Sequence, residues 1–254
     1  MRPQALVTGG NRGIGAAIAI ALAGRGFDIV IADLAHTEDT VRTTRAAAAL
    51  GAHVAFVAAD IADLAQHARI VDAAWAPAGR LDTLVGNAGV SVARRGDVLD
   101  VTPESFDRVL GVNLRGTFFL AQAVARRMLA DPPGAAHRSI VTISSANAEI
   151  VSPDRAEYCF AKSALSMMAK VFALRLAPAG IASYEVRPGV IRTDMTRVAA
   201  PKYDRLIAEG LTPIARWGEP DDVGRTVAAL ACGELPFVTG EAVHVDGGLH
   251  IRRL

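Results

Sequence analysis

Cysteine is scarce: the chain has two, Cys159 and Cys232, in 254 residues. A disulfide framework is therefore not expected, and a reducing cytoplasm is the compartment such usage fits. Charge of one sign is also missing, because 27 Lys plus Arg against 26 Asp plus Glu leave a formal +1. That balance gives no electrostatic footprint for nucleic acid or an anionic membrane. Every apolar run is broken by Gly, Arg, Asp or His before it reaches the roughly 18 to 20 residues of a spanning helix. The first ten residues run straight into a strand-and-turn pattern, without the charged, apolar and cleavage regions of an export signal. What is present is apolar bulk, at 51% of residues against 21% charged. This predicts a large buried core in one domain spanning residues 1–254.

Short runs rich in Val, Ile and Leu recur at residues 5–8, 28–32, 53–57, 83–85, 139–143, 181–186 and 242–245. Most are near-continuously apolar, as strands covered by helices on both faces must be. Ala-rich segments with helical spacing lie between them, at 14–25, 38–50, 63–76, 103–130, 156–178 and 220–232. Thr102-Pro103 and Glu219-Pro220 read as helix starts, and Gly51, Gly79 and Gly180 as helix stops. Strand-helix alternation predicts an α/β Rossmann fold: a doubly wound, seven-stranded parallel sheet with helices on both faces. Asp131-Pro-Pro-Gly is read as a loop, since no linker or repeat divides the chain.

Directly after the first strand comes Thr8-Gly9-Gly10-Asn11-Arg12-Gly13-Ile14-Gly15. Gly9 suits a tight exit from the strand, Gly13 a close approach of pyrophosphate, and Gly15 close packing of helix on sheet. Asp33 ends the second strand, 18 residues after Gly15. There a carboxylate accepts from both ribose hydroxyls and repels a 2′-phosphate, which favours NAD over NADP; Arg12 pulls the other way. The competing reading of Asp33 is a cap for the turn that follows. Asp60 is read equally as an adenine contact or a helix cap.

Tyr158 and Lys162 stand four apart, on one face of the predicted helix 156–178. That helix follows a strand ending in Ser144-Ser145, at the sheet edge where open α/β proteins bind ligands. Over essentially its whole length the chain resembles the short-chain dehydrogenase/reductase family, with its 3-oxoacyl-(acyl-carrier-protein) reductase-like branch most similar. The motifs are the glycine segment, Asp60, Asn87-Ala88-Gly89, Asn113, Ser145, Tyr158 with Lys162, Arg187-Pro188-Gly189 with Thr193, and Val245-Asp-Gly-Gly248.

The resemblance implies hydride transfer between NAD(H) and a secondary alcohol or ketone. Tyr158 is then the general acid/base, and Lys162 binds the nicotinamide ribose and stabilises the phenolate. Ser145 polarises the carbonyl, and Asn113 holds a water near Lys162; a helix-interior hydrogen bond is the alternative for Asn113. Gly9, Asn11, Arg12, Gly13, Ile14, Gly15, Asp33, Asp60, Ile61, Asn87, Ala88, Gly89, Pro188, Gly189, Ile191 and Thr193 line the cofactor site. Residues 194–217 form a substrate lid. The same resemblance implies a homotetramer built on helices 103–130 and 156–178, with Gly248–Leu254 reaching a neighbour.

Two departures stand out. Gly86 replaces the first of the family's paired asparagines, and the segment carrying Glu149, Asp154 and Arg155 is more charged than an acyl channel requires. These charges either contact the hydroxyls of a sugar-like substrate or are solvated. A polyol or sugar dehydrogenase is therefore an alternative, and a catalytically silent dinucleotide-binding regulator is another. No histidine spacing suggests a metal ligand set, and Cys159 and His244 are read as packing residues.

Overall fold

A computed structural model describes residues 2–132 and 134–252. Seven strands, β1 (Gln4–Thr8), β2 (Asp28–Asp33), β3 (Val54–Ala58), β4 (Thr83–Gly86), β5 (Arg138–Ile143), β6 (Ile181–Pro188) and β7 (Ala242–Val245), form one sheet. Its order is β3-β2-β1-β4-β5-β6-β7, and every neighbouring pair is parallel. The chain winds outward from β1 through β2 and β3, then restarts on the other side of β1 with β4. The crevice at the C-terminal ends of β1 and β4 is thus the point where an open α/β sheet takes its ligand.

Strand alternation explains why these runs are apolar throughout. Leu6 and Val30 point into one core, whereas Val7, Ile29 and Ile31 point into the other, and all five are at most 1% exposed. The first core is closed by α3 (His67–Trp75), α5 (Thr117–Ala130) and α6 (Ala156–Leu176). The second is closed by α1 (Gly13–Gly24), α2 (Glu38–Ala49) and α9 (Pro220–Ala231). The predicted doubly wound architecture is the observed one. Among the described residues no helix is long and apolar enough to cross a membrane.

Helix boundaries follow local chemistry. The Thr102 hydroxyl accepts from the Ser105 N–H at 3.3 Å and opens α4 (Pro103–Leu110), with Pro103 in the first turn. Gly51, Gly79 and Gly180 take φ of +84°, +68° and +69°, the left-handed stops that the sequence predicts. The predicted helix 103–130 is not uniform, because a π-helical turn, Gly111–Gly116, separates α4 from α5. Two tethers meet there: Asn113 is held by the backbone of Val90, and Gly116 lies against the Ile61 carbonyl. The predicted helix 63–76 likewise begins with a 3₁₀ turn, Leu64–Gln66, capped by Asp63. The 156–178 segment ends its α geometry at Leu176, before Pro178. The remaining helices are α7 (Asp194–Arg197) and α8 (Ala200–Ala208).

Helices α1 and α9 approach closely: a Cβ on Gly224 would lie 2.7 Å from the Ala17 carbonyl oxygen. Backbone cannot give way as a flexible side chain does, so Gly224→Ala is expected to lower stability by about 1–3 kcal/mol in urea denaturation. Gly111 faces open space. Gly111→Ala should instead be neutral or raise stability by up to about 1 kcal/mol in the same assay.

Candidate active site

The glycine turn is held by neighbours on three sides. Gly9 and Gly13 take φ of +65° and +56°, values that side chains rarely adopt. Gly15 sits so close to the turn that a Cβ there would lie 2.0 Å from the Gly9 carbonyl oxygen. Across the switch point, the Asn87 amide donates to the Thr8 and Gly9 carbonyls at 2.9 and 3.1 Å. The Thr8 hydroxyl accepts from the N–H groups of Asn87 and Ala88, both at 3.0 Å. The single asparagine after Gly86 thus ties β4 to the turn together with the Thr8 hydroxyl, and Gly86 itself faces the Thr117 methyl.

Asn11 is largely occupied. Its side chain donates to the Ala35 carbonyl at 2.9 Å and accepts from Thr40 at 2.8 Å, while Thr43 donates to its carbonyl. Asp33 accepts from the N–H groups of Asn11 at 3.1 Å and Leu34 at 2.8 Å, so its carboxylate closes the end of β2 over the turn. Each of those oxygens keeps acceptor capacity. Arg12, at the start of α1, is exposed and lies 3.4 Å from Asp194. Asp60 accepts from the Ala62 N–H at 2.8 Å and closes the turn after β3, whereas the cap of the helical segment that follows is Asp63, so the structure does not bear out the helix-cap reading of Asp60. The Ile61 carbonyl is 2.7 Å from a buried His67 ring nitrogen.

On the other flank, β5 delivers Ser144 and Ser145, and α6 delivers Tyr158 and Lys162. All four side chains are at least nine-tenths buried. The Lys162 ammonium donates to the Ile143 carbonyl at 3.0 Å and lies 5.6 Å from the centre of the Tyr158 ring. The bare α-carbon of Gly89 lets these groups converge: a Cβ there would lie 3.2 Å from Asn113 Oδ1 and 3.8 Å from Lys162 Nζ. Asn113 exchanges two hydrogen bonds with Val90, accepting at 2.7 Å and donating at 2.9 Å. Its amide is therefore tied to Val90, with a second Nδ2 proton left over. Ser145 Oγ accepts from the Asn147 N–H at 3.1 Å, which leaves the hydroxyl proton for another acceptor.

Pro188-Gly189 turns away from β6 with Gly189 pressed on Asp246, where a Cβ would lie 2.6 Å from that residue's Cβ. Ile191 is buried, and its carbonyl accepts from Thr196 at 2.7 Å. Thr193 caps α7, and its methyl comes within 3.6 Å of a Cβ built on Gly13. The cofactor-side candidates from β1, β2, β4 and β6 thus surround one crevice. Ile14 packs under it against the second core.

The sequence reading gave no role to Glu185 and Arg187, which form a buried ion pair beside the crevice. They are 1% and 4% exposed and meet at 2.8 Å. Glu185 also accepts from Ser144 and Ser166; Arg187 donates to Glu149, and its guanidinium is 3.3 Å from His244. Burial works against the charge of Arg187, yet its bonds to Glu185 and Glu149 hold its pKa above the ordinary arginine value. The bond from Arg187 in turn holds Glu149 below the usual carboxylate range. Burial, helped by His250 and Arg187, keeps His244 below the ordinary histidine value. The available signal was the Glu-x-Arg spacing, which puts both side chains on one face of a strand. Cys159 lies 3.7 Å from the Ser152 carbonyl, and both cysteines are unpaired. Among the described residues no cluster of three or more His, Cys, Asp or Glu could hold a metal.

Residues 9–250 match a family model described as enoyl-(acyl carrier protein) reductase. Over 253 residues the chain is 32% identical to a 3-oxoacyl-(acyl-carrier-protein) reductase of Staphylococcus aureus, covering 99% of each chain. It is 35% identical over 248 residues to an oxidoreductase of Methylorubrum extorquens, covering 96% of each. Among solved structures, a 3-oxoacyl-(acyl-carrier protein) reductase from Brucella melitensis in complex with NAD superposes with a TM-score of 0.97 at 49% identity. That match covers 100% of this chain and 99% of the other.

Removing one partner of the Glu185–Arg187 pair strands a buried charge. Arg187→Met should cost about 3–5 kcal/mol in urea denaturation, and the double variant Glu185→Met/Arg187→Met should recover most of it. Equal losses in the single and double variants would mean the pair is not coupled.

Proposed function

The chain belongs to the short-chain dehydrogenase/reductase family of oxidoreductases, and from that premise we propose that it transfers hydride between NAD(H) and a 3-oxoacyl compound or its secondary alcohol. The observation that carries this reading is the convergence of Lys162 and Asn113 on Gly89 at the sheet's C-terminal edge, with the Tyr158 ring centre 5.6 Å from the Lys162 ammonium. The crevice fits a dinucleotide: two left-handed glycines, the start of α1 and the bare Gly89 leave backbone open where phosphates and a ribose approach. Gly9, Asn11, Arg12, Gly13, Ile14 and Gly15 would hold its pyrophosphate half. Asp33, Asp60 and Ile61 would hold its adenosine. Asn87, Ala88, Gly89, Pro188, Gly189, Ile191 and Thr193 would hold its nicotinamide half. When bound, the nicotinamide supplies or accepts the hydride.

The protein's own part is to handle oxygen and proton. Ser145, whose Oγ already accepts from Asn147, donates its proton to the substrate oxygen. Tyr158 delivers its phenolic proton to that oxygen in the reducing direction and takes it back in the oxidising one. Lys162, anchored on Ile143 by one donor, has two donors left for a ribose and for the field at the phenol. Asn113 is a positioning residue whose side chain fixes Val90.

Asp33 favours NAD over NADP, since a 2′-phosphate would meet a carboxylate already at the strand end. The Brucella relative's complex with NAD supports the same choice. Residues 194–217, which carry α7 and α8, are the substrate lid. Phe160, Met167, Val171 and Leu174 form an exposed apolar stripe along α6, and Phe119 on α5 is exposed as well. Such a stripe supports a homotetramer built through these helices, and light scattering at micromolar concentration should give four chains rather than one. Of the C-terminal segment assigned to a neighbour, residues 253–254 lie outside the described part. Two unpaired cysteines support a cytoplasmic location.

Steady-state reduction of an acetoacetyl thioester tests the reading. The wild type should prefer NADH to NADPH, and Asp33→Ala should remove that preference. Tyr158→Phe should lower kcat by a factor of 100 or more, in line with losing general acid catalysis of about 10²–10⁴. Turnover of polyols but not of the thioester would favour the sugar dehydrogenase reading.

A further inference from the structure

Arg155 stands three residues before Tyr158, at the entrance to α6. Its guanidinium carbon lies 5.0 Å from the centre of the Tyr158 ring. One nitrogen, Nη2, donates to Asn147 Oδ1 at 2.6 Å, and the Asn147 N–H donates to Ser145 Oγ at 3.1 Å. Arg155 is thus linked through a single residue to the serine and packed over the phenol. Among the described residues no carboxylate lies within 4 Å of its nitrogens, and its Nε is buried with no hydrogen-bond partner.

The surrounding carboxylates are engaged elsewhere. Asp154 pairs with Arg95 at 2.9 Å. Partial burial works against its charge, but the bond from Arg95 holds it ionised below the usual range. Glu149 pairs with Arg187, and Glu157 accepts from Ser105 at 2.6 Å. The other deeply placed arginines are satisfied: Arg138 by the carbonyls of Met128 and Ala179, and Arg187 by Glu185. The enclosed Nε faces protein, so the part of this half-buried guanidinium left for an anion is Nη1, which has no protein partner and no counterion beside it.

The geometry points to Arg155 as a specificity-determining residue that receives a carboxylate of the substrate, so that the preferred ketone is a short 3-oxo acid with a free carboxylate. This rests on the reductase reading above and narrows it. Hydride adds to the 3-carbonyl carbon, the Tyr158 proton goes to its oxygen, and NADH becomes NAD⁺. The carboxylate, two bonds away, is unchanged and is held by the guanidinium. A charge-assisted bond of this kind discriminates between an anion and its neutral ester.

The test compares acetoacetate, methyl acetoacetate and S-acetoacetyl-N-acetylcysteamine on the wild type, Arg155→Gln and Arg155→Lys, with NADH. The wild type should have a kcat/KM for acetoacetate about 30- to 100-fold above that for the methyl ester, falling as ionic strength rises. Arg155→Gln, which keeps a donor for Asn147, should raise KM for acetoacetate by a similar factor and change kcat/KM for the ester less than about 3-fold. Arg155→Lys should recover part of the loss. A wild type that turns over the ester or thioester as well as acetoacetate, or an Arg155→Gln that slows all three alike, overturns the assignment and leaves the reductase reading standing. Wild-type protein that binds NADH but reduces none of the three overturns the reductase reading, and the Arg155 assignment with it.

Discussion

The site depends on one close approach of backbone to backbone, at the end of β1. Gly15 lies against the Gly9 carbonyl with no room for a side chain, and the Asn87 amide clamps the same turn from β4. Because β1 and β4 are where the winding order reverses, this clamp ties the two halves of the sheet together at the crevice. Asp33 and Asn11 then extend the hold to β2 and α2. A shift in the turn would therefore move both walls of the crevice rather than one loop.

The opposite wall is built from charge. Glu185 and Arg187 share a face of β6, and Ser144, Ser166, Glu149 and His244 complete a polar cluster around them. Such a cluster adds little net stability beyond a well-packed apolar alternative, but its directional bonds admit few arrangements. Here they fix the strand end that carries Ser145 on one side and Pro188-Gly189 on the other. Arg155, by contrast, has its neighbours' counterions turned away from it.

The strands and the winding were legible because burial on both faces forces unbroken apolar runs, as at Asp28–Asp33, and because Gly51, Gly79 and Gly180 mark their helix ends unambiguously. The residues that converge on Gly89 were legible as motifs and spacings. The π turn at Gly111–Gly116 was not, since inserting one residue into a long helix leaves its apolar composition unchanged and depends on tethers to Val90 and Ile61 that are distant in sequence. Asn11 shows the same limit: its side chain is taken up by Thr40 and Ala35, partners that no local pattern reveals. Glu149, Asp154 and Arg155 read alike as loop charges, and only the fold separates two paired carboxylates from one unpaired cation.

The contact between Gly224 and Ala17 has a consequence for how the chain is made. The helix that follows the glycine turn is covered by α9, which lies close to the other end of the sequence. A ribosome releases the chain from its N-terminus, so α1 emerges about 200 residues before the surface that shields it. Until α9 arrives, the apolar side of the first strand-helix unit, with Ile18 and Leu22, is covered only in part, by β2 and α2. The nascent chain therefore keeps part of this sticky surface open until α9 has left the exit tunnel, and the crevice takes its final shape only after β7 has followed.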